Sequence, residues 1–232
     1  MRNDEATAQR GRHRHDRGAA GPLRRGALLA VVLAVASPAV AHADDHEAAW
    51  SVRPFGGVAR MEEDGASAQR AMVGGLALGF AYGVSNGLDV GGELIALGTT
   101  APRFMGTAVI DGGAPYHGPL TRRTDAALLL LGPTWRFGVS WVPVLTIAAG
   151  GGARHRSDGT LADFGITLND KRASFAFDFA ATSRIGLEHR VNRRLVVGAY
   201  ASGLSTWGPS APLLSVASVS VGFSYVSYPL WW

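Results

Sequence analysis

The hydrophobic pattern of this chain repeats every two residues. In residues 70–84 the even positions are mostly bulky and apolar, whereas the odd positions are alanine, valine or glycine. In residues 174–189 three phenylalanines alternate with small or charged residues, and in residues 217–225 valine and aromatic residues alternate with serine and glycine. Because successive side chains of a strand point to opposite faces, this pattern predicts β-strands rather than helices.

Turn residues divide the chain into about eight such segments. The predicted strands are residues 50–60, 69–84, 88–97, 125–137, 143–156, 173–189, 195–204 and 213–228. Short turns alternate with longer connections, of which 98–124 and 157–172 are the longest. With an even number of strands, this order predicts an all-β fold, an antiparallel up-and-down transmembrane β-barrel with both chain ends at the short-turn side, the periplasm.

The fourth predicted strand has two irregular features. Residues 126–131 are apolar on both faces, a pattern that equally suits a buried helical segment. Pro133 has no amide hydrogen for the strand ladder, so it is expected at an edge or a bulge. The strand and the helix therefore both remain open for this segment.

The N-terminal part has the order of a secretory signal peptide. Residues 1–25 are rich in arginine, residues 26–41 are apolar, and Ala41, His42 and Ala43 form a small-x-small triplet. The apolar run of about 16 residues is short for a transmembrane helix, which usually needs about 20. The sequence thus predicts a signal peptide at 1–43, cleaved after Ala43, and an outer-membrane barrel domain at 44–232; an uncleaved anchor is the alternative.

The composition argues against an ordinary soluble domain. Apolar residues make up 47% of the chain and charged residues 17%, and Lys171 is the single lysine. The leader holds seven of the 22 basic and three of the 18 acidic residues, which leaves 15 of each sign in the mature chain. The net charge of +4 therefore belongs to the leader, and no nucleic-acid partner is expected.

Side-chain size indicates which face of each strand is inside. The interior of an eight-stranded barrel is only wide enough for side chains, so the small face is expected inward and the bulky face against lipid. Eight charged residues, four of each sign, lie on the predicted inward face: Arg53, Asp89, Glu93, Arg136, Arg154, Asp178, Arg184 and Glu188. They predict a lumen charge network that neutralises itself, because an unpartnered buried charge is costly. A narrow, charge-selective conductance path is the alternative.

Aromatic residues cluster near the strand ends of the periplasmic side. The predicted aromatic girdle contains Trp50, Trp135, Phe137, Trp141, Tyr228, Trp231 and Trp232. With this girdle and its aromatic final strand, the chain resembles the OmpA-like eight-stranded outer-membrane β-barrel proteins. The resemblance implies a monomer in the outer membrane of a Gram-negative cell envelope, in contact with outer-membrane lipid and lipopolysaccharide. It also implies that barrel-insertion machinery reads the C-terminal strand.

Few residues suggest chemistry. His155 and Ser157, near the outer end of the fifth strand, resemble the His-x-Ser pair of outer-membrane lipid A deacylases, which implies a serine nucleophile activated by histidine. Asp158 stands where that family has asparagine. The mature histidines show no metal-ligand spacing, and the chain has no cysteine, so no metal and no cofactor are predicted.

The function predicted from these features is a structural, adhesive or surface-binding role carried by the extracellular loops. In those loops Arg103, Arg122 and Arg123 could contact the phosphates of lipopolysaccharide. The alternatives are a lipid A deacylase-like enzyme, a narrow porin-like pore and a lipid-binding barrel. A soluble lipocalin-like barrel in the periplasm is a further alternative, against which the scarcity of lysine argues.

Overall fold

The structure is a computed structural model that describes residues 46–62, 68–108, 115–138, 141–163, 165–167, 174–208 and 211–227. The predicted leader, Tyr228, Trp231 and Trp232 lie outside the described residues. The strands are β1 (Ala48–Met61), β2 (Gln69–Ser85), β3 (Leu88–Thr99), β4 (Arg103–Ala108), β5 (Tyr116–Thr121), β6 (Thr124–Arg136), β7 (Trp141–Arg156), β8 (Thr160–Leu161), β9 (Ser174–Arg190), β10 (Leu195–Gly208) and β11 (Ala211–Ser227).

Eight of the described strands close into one barrel. They follow the order β1, β2, β3, β6, β7, β9, β10 and β11, and β11 pairs with β1 to complete the circle. Every neighbouring pair is antiparallel, and each pair except the closing pair of β1 and β11 joins consecutive barrel strands. The predicted antiparallel up-and-down barrel is confirmed. Within the described residues, no helix is long and apolar enough to cross a membrane.

The strand register fixes the tilt of the barrel strands. A path perpendicular to the strands that starts at Ser51 passes Gly79 and Glu93 and returns to β1 at Met61, ten residues further along. A shift of this size in an eight-stranded barrel corresponds to a strand tilt of about 40°. The interior is therefore narrow and filled by side chains.

The segment that is apolar on both faces is a strand. Leu128 and Leu130 are fully buried, whereas Leu129 and Leu131 point outward and are 56% and 62% exposed. The helical alternative for residues 126–131 is therefore wrong. The strand is apolar on both faces because one face packs in the apolar part of the lumen and the other lies on the apolar outer surface. Pro133 lies where the register between β6 and β7 is interrupted, as expected for a residue without an amide hydrogen.

The connections differ from the prediction in two places. The segment 98–124 was expected to be a loop, but it contains the hairpin β4–β5, which β8 extends to a separate three-stranded sheet. Phe104 and Leu120 are the buried centre of this sheet. The strands β10 and β11 also extend further than predicted, so that only residues 209–210 separate them. We call this end of the barrel the long-loop rim and the opposite end the short-turn rim.

Candidate functional site

A cluster of charges fills the lumen nearer the short-turn rim. Glu93 on β3 forms an ion pair with Arg53 on β1 at 2.5 Å, and it accepts a hydrogen bond from Arg184 on β9 at 2.7 Å. Both guanidinium groups also face the ring of Tyr200, at 5.7 and 5.5 Å from its centroid. One carboxylate and one aromatic ring thus hold two buried cations, an arrangement that cation–π attraction favours.

A second cluster continues this one toward the short-turn rim. Arg136 on β6 pairs with Asp89 and, at 2.9 Å, with Glu188 on β9. The Tyr200 hydroxyl donates to Glu188 at 2.8 Å and so connects the two clusters. At the same end Arg190 pairs with Glu47 at 2.8 Å, a contact between residues 143 positions apart that the sequence reasoning missed.

The remaining pair of predicted inward charges lies toward the long-loop rim. Arg154 on β7 forms an ion pair with Asp178 on β9 at 2.7 Å, and both side chains are almost completely buried. The structure therefore places all eight predicted charges in the lumen and joins each to at least one of opposite sign.

An apolar layer separates these two groups of charges. On β3, Ile95 and Leu97 follow Glu93, and on β6 Leu128 and Leu130 occupy the same layer. The cavities described inside the barrel are small, about 30, 50 and 70 Å³, and charged side chains line each of them. Each of these cavities has room for a few water molecules.

The packed lumen predicts a barrel that does not conduct ions. In planar bilayers the purified protein is expected to give no stepwise current, because the leucine layer offers ions no replacement for their hydration shell. A large porin reconstituted in the same bilayers serves as the positive control. Regular conductance steps that scale with the number of inserted barrels would contradict this expectation.

The outside of the barrel carries large apolar side chains on every strand. At the short-turn rim Trp50 packs on Phe80 with ring centroids 4.7 Å apart, and Trp141 stacks on His189 at 4.6 Å. Trp135 and Phe137 are half-buried at the same rim. A second aromatic belt, which the sequence did not predict, lies near the long-loop rim on the outside of the neighbouring strands β9 and β10 and consists of Phe175, Phe177, Phe179 and Trp207.

The two belts are one bilayer apart. On β9, Phe179 and His189 are ten residues apart, which at the tilt of the strands is about 25 Å along the barrel axis. This is the height of the apolar band on outer-membrane barrels. The protein is a transmembrane β-barrel.

Comparison with known proteins gives matches of fold. Neither a protein-family model nor a curated protein matches the chain. One match is Ail, the attachment invasion locus protein of Yersinia pestis, solved in complex with the heparin analogue sucrose octasulfate. It is 17% identical in sequence with a TM-score of 0.46, and the alignment covers 79% of this chain and 99% of the Ail chain. OprG of Pseudomonas aeruginosa is 15% identical with a TM-score of 0.40, covering 80% and 98%. The N-terminal barrel of Pseudomonas aeruginosa OprF is 16% identical with a TM-score of 0.37, covering 76% and 96%.

The two residues of the deacylase-like pair make separate contacts. The Ser157 hydroxyl accepts from the amide of Arg123 at 3.0 Å and donates to the carbonyl oxygen of Asp158 at 3.2 Å. The ring of His155 packs on Phe175, with centroids 4.5 Å apart. The serine proton thus goes to a backbone oxygen instead of to the histidine, and the geometry is that of a strand end. Among the described residues, no group of three or more potential ligands is arranged to hold a metal ion.

The three loop arginines predicted to meet phosphates are held by the protein itself. Arg122 is only 3% exposed and lies over the ring of Phe104, so its prediction as a surface residue is wrong. Arg103 pairs with Asp163, and Arg123 pairs with Asp125, each at 2.8 Å. These contacts lie within the small outer sheet and at its junction with the barrel.

Proposed function

We propose that the protein is a monomeric, non-conducting anchor of the outer membrane that carries a small binding platform on its outer side. The supporting observation is the combination of an apolar exterior with two aromatic belts and a lumen packed with ion pairs. A barrel that is filled in this way contributes rigidity and position instead of transport. A signal peptide at 1–43 delivers the chain to the periplasm, and the insertion machinery acts on its last strand.

The platform is the sheet of β4, β5 and β8. Its buried centre gives it a defined shape, and the pair of Arg103 and Asp163 braces it on the outside. Met105 and Ile166 are exposed there, at 68% and 56%. An apolar surface supported by a folded base suits contact with a macromolecule outside the cell, which is the adhesive or surface-binding role.

The location is tested by separating the membranes of cells that produce the protein. The mature chain is expected in the outer-membrane fraction, and in detergent gels its unheated form is expected to migrate faster than its boiled form, because the closed barrel resists unfolding. Protease added to intact cells is expected to cut within residues 98–124. Recovery from the soluble periplasmic fraction, with no change in migration on heating, would contradict the proposal.

A further inference from the structure

The lipid-facing surface has a groove across β9, β10 and β11. Where other strands present large apolar residues, its floor consists of small or hydroxyl side chains, namely Ala181, Ser183, Gly203, Ser205, Ser215 and Ala217. Val58 and Ile147 form its sides, and its volume is about 650 Å³. It is an open depression on the surface that faces hydrocarbon.

Two arginines close the groove at the long-loop rim. Arg60, near the end of β1, and Arg70, near the start of β2, are direct partners in the register, and both are exposed on the outside. Arg60 approaches Glu62 at 3.6 Å, a contact between well-exposed groups, and within the described residues Arg70 has no ion pair. Like charges placed directly opposite each other destabilise a strand pair, and an anion between them removes the repulsion.

The height of the arginines matches the position of lipid headgroups. They lie at the end of the barrel that carries the aromatic belt of Phe177 and Trp207, whose rings mark the boundary between hydrocarbon and headgroups. The groove extends from this boundary toward the apolar band. A ligand that fits both parts has a negatively charged head at the boundary and an apolar chain below it.

We propose that the groove binds an acyl chain of a phosphate-bearing glycolipid of the outer leaflet, the lipid A part of lipopolysaccharide, with a phosphate between Arg60 and Arg70. This inference rests on the proposed function, because the long-loop rim must face outward. Guanidinium groups form paired hydrogen bonds with phosphate oxygens. Charge complementarity thus selects an anionic lipid over a second copy of the chain, whose outer surface would bring the same two cations.

The test is native mass spectrometry of the folded, detergent-solubilised protein titrated with purified lipid A. The variant Arg60→Gln with Arg70→Gln removes the charges, and Gly203→Leu fills the groove; a Cβ at Gly203 has only the Ser183 hydroxyl within 4 Å, at 3.8 Å.

The control for charge is Arg193→Gln with Arg194→Gln, which removes the same charge at the short-turn rim. The control for volume is Gly74→Leu, which adds the same side chain to an outward position on β2, outside the groove.

Lipid A binding is expected to weaken on the order of tenfold in the double arginine variant and severalfold in Gly203→Leu. Both controls are expected to bind as the original protein does. Dephosphorylated lipid A is expected to bind the original protein as weakly as lipid A binds the arginine variant, and millimolar inorganic phosphate is expected to displace nothing.

Three results would overturn the inference. These are equal lipid A binding by all variants, displacement of lipid A by inorganic phosphate alone, and a dimer of the original protein that Gly203→Leu dissociates without lipid. Each variant is first checked for heat-modifiable migration. If the variants fold and insert but the predicted difference is absent, the groove inference fails while the proposed function stands; an original protein that does not insert contradicts the proposed function itself.

Discussion

The variant Glu93→Gln is expected to lower the free energy of unfolding by about 3–5 kcal/mol. Glu93 is the carboxylate that Arg53 and Arg184 share, and its side chain is about nine-tenths buried. Glutamine keeps the size of the side chain but leaves two guanidinium groups facing each other without a counter-charge. The measurement is a urea titration of the barrel folded into phosphatidylcholine vesicles, followed by tryptophan fluorescence and by heat-modifiable migration.

Two further variants separate this effect from a general loss of charge. Glu62→Gln removes the same charge from the pair with Arg60, which is exposed at the long-loop rim, and is expected to cost less than about 1 kcal/mol. Adding Arg184→Met to Glu93→Gln is expected to recover part of the loss, because one of the two stranded cations is then absent. If Glu93→Gln and Glu62→Gln had equal effects, the ion-pair network would not contribute to the stability of the barrel.

The strands were predictable because the two faces of this barrel differ in size. In β9, phenylalanines alternate with Ala176, Asp178 and Ala180, so the period and the inward direction can both be read from the residues. The same alternation predicted which charged residues face inward. Their partners could not be predicted in this way, because Glu93 reaches Arg184 only through the order of the strands and the ten-residue shift around the barrel.

Other features depend on contacts that alternation does not encode. In β6, residues 128–131 are all leucines, so the sequence does not show which face of the strand points inward. The apolar layer of the lumen therefore could not be predicted from it. The hairpin β4–β5 has strands of six residues, and Pro119 interrupts the apolar pattern of the second strand. The placement of Arg60 opposite Arg70 depends on the register between β1 and β2, which the connection between them sets.

The variant Leu131→Arg is expected to destabilise the inserted barrel by about 2–4 kcal/mol. Leu131 lies near the middle of β6 and points away from the lumen, where it is 62% exposed in the isolated barrel. In a bilayer this position faces hydrocarbon, and a guanidinium group there loses its hydration without gaining a partner. The measurement is the same urea titration in vesicles, together with the fraction of protein that inserts during refolding.

A matched substitution near the boundary of the membrane shows whether depth is the cause. Leu213 also points outward, but it lies near the start of β11 at the long-loop rim, so Leu213→Arg is expected to cost at most about 1 kcal/mol. In a soluble barrel both arginines would be in water and both variants would be close to neutral. A large difference between the two variants therefore follows only if the bulky face meets lipid, and equal, small effects would place the barrel in water and remove the basis for a membrane function.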